Sequence, residues 1–416
     1  MYRRALETAP APAIRARQLE RLNRLLTDIL PRNRFYAAKF GAARRRISWD
    51  DFAALPFTTK SELVADQHDT PPLGTIATFG REAYAVYHQT SGTTGHPLTI
   101  LDTADSWDWW AESWLYVFHA AGVTARDRVF FAFSFGPFIG FWSAYAGARK
   151  LGALTVPGGA MDSSARLAMI RRTQPTVLVC TPTYALRLAE VAAAEGDPIA
   201  DGSVRVTIHA GEPGASIPAT RQRIESAWNA RCFDHAGATE IGAYGYTCSV
   251  QDGLHVNEEE FIAEVLAADG TPAAAGETGE LVMTNLGRAG WPVVRYRTGD
   301  VVTVGDRECA CSRTFLKLPG GLIGRTDDLL VYKGVNIYPS SVEAVVREFD
   351  VDEFRLVRTR SDGLDSLAVE VEASPETATQ LTHRIRERLA VRIDCRVVPP
   401  NSLPRWELKA RRVVER

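Results

Sequence analysis

The sequence contains no apolar run approaching the roughly 18 residues needed to cross a bilayer, so no membrane partner is expected. It carries no excess of either charge: 48 lysines and arginines against 50 aspartates and glutamates leave a formal net of -2. Nucleic acid therefore has no electrostatic claim as a partner. Cysteine is scarce, at six in 416 residues. The first eighteen residues hold early arginines but no apolar stretch, so no secretory signal is expected. A cytoplasmic location follows as the expectation, with reduced thiols rather than disulfides. No Gly-Lys-Ser/Thr triplet occurs, which removes P-loop kinases and NTPases. No internal repeat is visible.

What is present begins with an alternating apolar stretch, Ala83 to Tyr87, that reads as a strand. It runs into Thr90-Ser91-Gly92-Thr93-Thr94-Gly95-His96-Pro97. Glycines let a backbone turn tightly and bring N–H groups close to an anion, and hydroxyls add donors without bulk. That chemistry suits a polyphosphate, although Gly/Ser/Thr runs also make plain loops.

The length favours two or more domains. Residues from about Ala13 to Leu30 space leucines on one helical face, with Pro31 as a stop. Helices are expected over Trp107–Ala121, Ser163–Arg172 and Leu186–Ala194, and one ending near Tyr145. Strands are expected over Arg128–Phe135, Leu154–Pro157, Val177–Cys180 and Arg205–Ile208. This alternation points to a largely parallel α/β sheet with ligands at the strand C-terminal ends. The Gly/Ser/Thr loop, Thr181–Thr183 and Gly211-Glu212-Pro213 are expected at such ends. From about 253 to 304, short alternating strands indicate a small β-rich subdomain, and a compact α/β tail is expected after Arg325.

Three further segments follow in order: Asp234-His235-Ala236-Gly237-Ala238-Thr239-Glu240, Tyr296-Arg297-Thr298-Gly299-Asp300, and Gly324-Arg325-Thr326-Asp327-Asp328. A lone Lys409 closes the series after Leu403-Pro404-Arg405. With Pro56-Phe57-Thr58-Thr59-Lys60 and Gly334-Val335-Asn336-Ile337-Tyr338-Pro339-Ser340, this set resembles the adenylate-forming superfamily of acyl-CoA ligases, and within it the phenylacetate–CoA ligase branch. The resemblance runs from about Pro56 to Arg416. It implies a large N-terminal multi-layer α/β domain (1–325) with a β-rich subdomain (about 248–318), and a small mobile C-terminal α+β domain (326–416). A homodimer is expected by the same analogy.

The implied chemistry is carboxylate plus ATP to acyl-AMP and pyrophosphate, then thioester formation with CoA. Thr90, Ser91, Gly92, Thr93, Thr94 and Gly95 would grip phosphates, with Thr94 among the catalytic groups. His96 stands where family loops commonly carry lysine, so a positive charge is lost or made pH-dependent. Glu240 would organise Mg²⁺, beside Thr239. Asp300 would accept from the ribose hydroxyls and Arg325 would add a ribose or phosphate contact. Gly211, Glu212, Pro213, Asp234, Ala236 and Gly237 complete the nucleotide pocket. Ala236 occupies a position where the family often has an aromatic ring. Lys409 would be the catalytic lysine, Asp327 the hinge, and Lys333 and Gly334 part of the CoA tunnel.

The acyl pocket is expected from Phe135, Phe138, Gly140, Phe141, His209 and Ala210. Some of these rings must instead be core, and His209 could either bond a ring substituent or serve the fold. A small aryl carboxylate is the expected substrate. A carrier protein or another nucleophile is the alternative acceptor, and a non-catalytic nucleotide-binding protein is the alternative of a different class. Cys248, His255, Cys309 and Cys311 supply the ligand count of a tetrahedral structural zinc site, or are simply reduced cysteines beside a loop histidine. Cys180, Cys232 and Cys395 read as core positions.

Overall fold

The computed structural model describes residues 1–41, 46–90, 97–333, 335–361, 364–406 and 410–416. Helix α1 (Ala11–Ile29) turns Ile14, Leu22, Leu25, Leu26 and Ile29 inward, as its periodicity requires. Helix α2 (Lys60–Asp69) starts at a reciprocal cap: the Thr59 hydroxyl accepts the Glu62 N–H and the Glu62 carboxylate accepts the Thr59 N–H. That cap fixes Lys60 as the first helical residue. Strands β1 (Tyr84–Gln89) and β2 (Thr99–Thr103) pair antiparallel in a two-stranded sheet of their own, and Gln89 makes one further bridge to Phe138. The phosphate-loop segment thus joins a separate hairpin and does not leave a strand of the main sheet, contrary to expectation. The sequence could not reveal this because the pairing partner lies beyond the loop.

Helix α3 (Ala104–Ala120) leads into the α/β core of β3 (Arg128–Phe131), α4 (Trp142–Leu151), β4 (Leu154–Pro157), α5 (Ser163–Thr173), β5 (Val177–Cys180), α6 (Pro182–Ala194), β6 (Val206–His209), α7 (Pro218–Trp228) and β7 (Arg231–Ala238). Strands β4, β3, β5, β6 and β7 are neighbours in that order and parallel. Then β8 (Gly242–Tyr246) and β9 (Leu254–Val256) extend the sheet antiparallel. Strands β10 (Phe261–Leu266), β11 (Thr278–Asn285) and β12 (Tyr296–Thr303) form a second, antiparallel sheet. Strand β13 (Lys317–Leu318) returns to the edge of the first sheet, and β14 (Gly324–Arg325) pairs with β12.

Two expected bounds move for local reasons. The strand from Arg128 stops at Phe131, because Phe135 takes φ 52° in a Gly/Pro-bearing loop. Helix α6 starts at Pro182, four residues earlier than expected, because Thr181 caps it and proline suits the first turn. The main sheet is buried on both faces. Val129, Phe131, Val179, Ile208 and Phe233 face Trp114 and Ala148, while Phe130, Leu178, Cys180 and Cys232 face Leu167, Leu188 and Trp228. This is period-two alternation within parallel strands covered by helices.

The tail begins with hairpin β15 (Leu330–Tyr332) and β16 (Val335–Ile337) and helix α8 (Pro339–Val346). It continues with β17 (Phe354–Ser361), β18 (Leu364–Val371), helix α9 (Pro375–Leu389), β19 (Asp394–Val397) and β20 (Val413–Glu415). Its sheet order is β19-β18-β17-β20. Val342, Val346, Leu356, Val369, Leu381 and Ile385 give it a core of its own, with Cys395 partly buried beside it. Among the described residues, no helix is long and apolar enough to cross a membrane.

Candidate active site

Asp300 on β12 lies directly opposite Arg325 on β14. Arg325 Nη1 donates to Asp300 Oδ1 at 3.2 Å and to the Thr298 carbonyl at 3.2 Å. Its Nε and Nη2 donate to the two oxygens of Asp327 at 2.8 and 3.0 Å. A Cβ on Gly299, whose φ is 75°, would stand 2.9 Å from Arg325 Nη2, so glycine lets the guanidinium approach. Burial pushes the Asp300 carboxyl up to about 6, with Arg325 pulling the other way. Tyr244 donates to its second oxygen at 3.4 Å.

Glu240 sits just past β7 and is buried. Its Oε1 is 3.2 Å from Lys60 Nζ and accepts from the Tyr296 hydroxyl at 3.5 Å. Its backbone is held from beneath. Arg288 Nη1 donates to the carbonyls of Thr239 and Glu240 at 2.8 and 3.2 Å. The same guanidinium makes a bidentate pair with Asp102 at 2.7 Å through each arm, and both side chains have no exposure. A carboxylate that already draws a cation fits a hard divalent ion such as Mg²⁺.

Gly211, at φ 97°, turns the chain after β6. The half-buried Glu212 accepts the Thr183 N–H at 2.9 Å and the Ala410 N–H at 2.8 Å. Asp234 accepts from the Ser216 hydroxyl and from the His235 N–H at 3.0 Å, and burial pushes its carboxyl up to about 7. Ala236 faces Gly245 across the β7–β8 pair, where a Cβ on Gly245 would lie 3.0 Å from that of Ala236. Two small residues therefore oppose each other where the family often has a ring. A Cβ on Gly237 would meet the Gly242 carbonyl at 2.9 Å and His235 Nε2 at 3.0 Å.

The aromatic residues form one connected cluster. Ring centroids are 4.1 Å apart for Phe133–Phe135, 5.3 Å for Phe133–Phe141 and 4.7 Å for Phe135–Trp142. Gly140, at φ 40°, is forced to be small, since a Cβ there would lie 2.5 Å from the Phe133 ring. Phe133 and Phe141 are buried, whereas Phe138 is 43 % exposed. The Gln89 N–H donates to the Pro137 carbonyl at 2.9 Å, which brings the β1–β2 hairpin against this segment. Ala210 packs at the margin of the same core.

His209 does not join the cluster. Its Nδ1 is 3.2 Å from the Cys180 carbonyl and 3.8 Å from the Cys180 sulfur, on the opposite face of the sheet. Its Nε2 is buried without a partner, and burial lowers its pKa to about 4, so the ring is neutral. The histidine that meets the aromatics is His235. Its ring lies 4.2 Å from Trp114, itself 6.4 Å from Phe141. Sequence reading passed over His235, Trp114 and Lys60. The first lies one residue from Asp234 and so points to the other face of β7, a period-two signal that could have found it. Lys60 stood in a quoted motif with no role attached.

Ser91 to His96, Gly334 and Lys409 lie outside the described residues. Thr90 is buried, and its hydroxyl accepts the Leu98 N–H at 3.0 Å. Lys333 takes φ 50°, with its ammonium 4.9 Å from the Tyr332 ring.

Away from this cleft, the ligand atoms of Cys248, His255, Cys309 and Cys311 lie within 4.8 Å of one another. The Cys248 and Cys309 sulfurs are 3.8 Å apart, and the Cys311 sulfur is 3.5 Å from His255 Nε2. His255 Nδ1 sits 3.3 Å from the Phe315 carbonyl, which orients Nε2 toward the sulfurs.

Residues 41–287 match the family model "AMP-binding enzyme", and residues 334–416 match "AMP-binding enzyme C-terminal domain". The phenylacetate-coenzyme A ligase of Escherichia coli (strain K12) is 33 % identical over 436 aligned residues, covering 99 % of this chain and 96 % of that one. A crystal structure of a 2-hydroxyisobutyryl-CoA ligase in the postadenylation state with an acyl-AMP matches with TM-score 0.94 and 29 % identity, covering 99 % and 92 % of the two chains. The same ligase with CoA in the thioesterification state matches with TM-score 0.76 and 30 % identity, covering 99 % and 91 %.

Proposed function

The chain belongs to the AMP-binding enzymes, and from that premise we propose that it is an aryl acid–CoA ligase, joining a small aryl carboxylate to ATP and then to CoA. Its enzyme class is that of the AMP-forming acid–thiol ligases. The observation that carries the aryl reading is the connected ring cluster of Phe133, Phe135, Phe141 and Trp142, which abuts the β1–β2 hairpin. Edge-to-face walls favour a flat ring over an aliphatic acid. Trp114 and His235 would close one side, and the neutral imidazole of His235, whose pKa burial lowers to about 4, would offer a polar edge.

In this reading the carboxylate end of the acid points toward Glu240 and the phosphate loop. Asp300 accepts from the ribose hydroxyls and Arg325 holds Asp300 in place while adding its own charge. Glu240 would hold Mg²⁺, which when bound supplies charge neutralisation beside the α-phosphate. Lys60 stands ready to move from Glu240 to a phosphate oxygen. Thr94 and the other loop hydroxyls bind phosphate, and Lys409 bridges carboxylate and phosphate oxygens as charge shifts to pyrophosphate. Asp327 serves as hinge, and Lys333 with Gly334 shapes the thiol tunnel.

Cys248, His255, Cys309 and Cys311 would hold a structural zinc ion. Four soft or borderline donors in one small volume, with the histidine oriented by a carbonyl, fit that ion. It would staple the loop after β8 to the loop before β13 and take no part in the chemistry. A homodimer is the proposed assembly on family grounds alone, and the cytoplasm the proposed location.

The test of the aryl reading is a comparison of kcat/KM for phenylacetate, benzoate and hydroxy- or aminobenzoates with that for 2-hydroxyisobutyrate and acetate. An aryl acid should lead by at least about tenfold. An aliphatic acid in the lead would overturn it.

A further inference from the structure

Glu212 carries a side-chain interaction that the nucleotide pocket does not need. It sits in the turn after β6, beside the first turn of α6. One carboxylate oxygen accepts the Thr183 N–H at 2.9 Å, at the helix N-terminus where a negative charge is favoured. The other accepts the Ala410 N–H at 2.8 Å. Ala410 belongs to the tail and directly follows Lys409. Two residues on, Arg412 is buried inside the tail and paired with Glu353 at 3.2 Å and Glu343 at 3.4 Å, and β20 follows at once. The Ala410 backbone is therefore fixed to the tail on one side and to Glu212 on the other.

Arg223 on α7 donates to the Val351 carbonyl at 3.2 Å. Beside it an open groove of about 950 Å³ separates α6 and α7 from Arg347 to Asp350. A tail that faces the large domain partly across an open groove lined by Glu190, Gln222, Arg223 and Arg347 can leave without exposing a large apolar face there. Over the whole chain the structure is more similar to the postadenylation state of the hydroxyisobutyryl-CoA ligase, at TM-score 0.94, than to its thioesterification state, at 0.76.

We propose that Glu212 is a positioning residue: its carboxylate latches the tail by the Ala410 N–H in the pose used for adenylation, and must release Ala410 before thioester formation. The backbone of Gly211 to Pro213 remains free to line the nucleotide pocket. This inference rests on the two-step reading of the reaction but not on the identity of the acid.

The test uses the full-length chain and its Glu212→Gln and Glu212→Ala variants, with whichever acid the wild type activates. Adenylation is followed by ATP–pyrophosphate exchange, and the second step by AMP release from supplied acyl-AMP and CoA. Losing a charge-assisted hydrogen bond should lower kcat for adenylation about tenfold in Glu212→Ala, less in Glu212→Gln. KM for ATP should hold within about twofold, and the second step should be unchanged or faster. Hydrogen exchange of the peptide holding Ala410 should speed up in both variants, whether or not any acid is turned over. A raised KM for ATP with kcat retained would overturn the latch and leave Glu212 a nucleotide ligand. So would equal loss of both steps, or unchanged exchange at Ala410. No turnover by the wild type on any acid would count against the ligase reading, while the exchange result still decides the latch.

Discussion

Lys60 Nζ lies 3.2 Å from Oε1 of Glu240, bringing together two residues 180 positions apart. The lysine is 39 % exposed and stands on a capped helix start, while the glutamate is buried on a backbone pinned by Arg288. The lysine is the more accessible partner and the glutamate the more enclosed one. In the proposed reaction Lys60 would supply the cation that a phosphate loop with His96 in place of lysine lacks.

Lys60→Met should therefore weaken the first step specifically. Loss of one cation at the phosphates is expected to lower kcat/KM for ATP by about 10- to 100-fold in ATP–pyrophosphate exchange. Thioester formation from supplied acyl-AMP should change by less than about threefold. A variant exchanging pyrophosphate at the wild-type rate would remove Lys60 from the site.

With its carboxyl raised to about 6 by burial, Asp300 would make the proposed nucleotide binding pH-dependent. Above that value both oxygens would be free to accept from ribose; below it one carries a proton. ATP affinity should fall as pH drops through about 6, and Asp300→Asn should bind weakly with a flat profile. The stability sign is opposite. A folded pKa above the unfolded one gives a contribution present in acid and lost as pH rises through about 6. Calorimetric titration across about pH 5 to 8 checks the binding arm, and a flat wild-type curve would contradict it.

Arg288 and Asp102 form a fully buried bidentate pair under Thr239 and Glu240. Arg288→Met would strand the Asp102 charge, at a cost of about 3–5 kcal/mol. Denaturant unfolding should show that loss. A double change, Arg288→Met with Asp102→Leu, should recover much of the stability but not the adenylation rate, since the carbonyls of the Glu240 turn would still be unsupported.

Zinc should be present at one equivalent per chain in protein purified without chelator. Cys311→Ser should lower the zinc content and the melting temperature by several degrees while leaving kcat of the surviving folded enzyme near wild type. Metal-free wild-type protein of undiminished melting temperature would sink the structural role.

Asp327→Pro, at the proposed hinge, should spare acyl-AMP formation and slow thioester formation. The side-chain hydrogen bonds that Asp327 makes among the described residues are those from Arg325. Equal loss of both half-reactions would rule the hinge out.

Much of this was legible in the chain because apolar blocks such as Val177–Cys180 and Val206–His209 are cleanly punctuated by Thr-Pro and Gly-Glu-Pro turns. Asp300 and Arg325 were readable as candidate site residues, though not that they face each other across β12 and β14. The Cys/His set was readable by ligand count, and the fold brings it together. What stayed hidden is what depends on pairing at long range or on which face a residue takes. The β1–β2 hairpin stands apart from the main sheet, and His209 and His235 face opposite sides of it. Lys60 and the Glu212–Ala410 bond join segments that no local pattern links.

The most direct single measurement is incubation of the purified protein with ATP, Mg²⁺, CoA and a mixed panel of aryl and short aliphatic acids, read by mass spectrometry for acyl-AMP and acyl-CoA. An aryl-CoA with its aryl-AMP precursor is the expected result. Acyl-AMP that never becomes a thioester would replace CoA with a carrier protein or another nucleophile, and products from aliphatic acids alone, or no adenylate at all, would contradict the account.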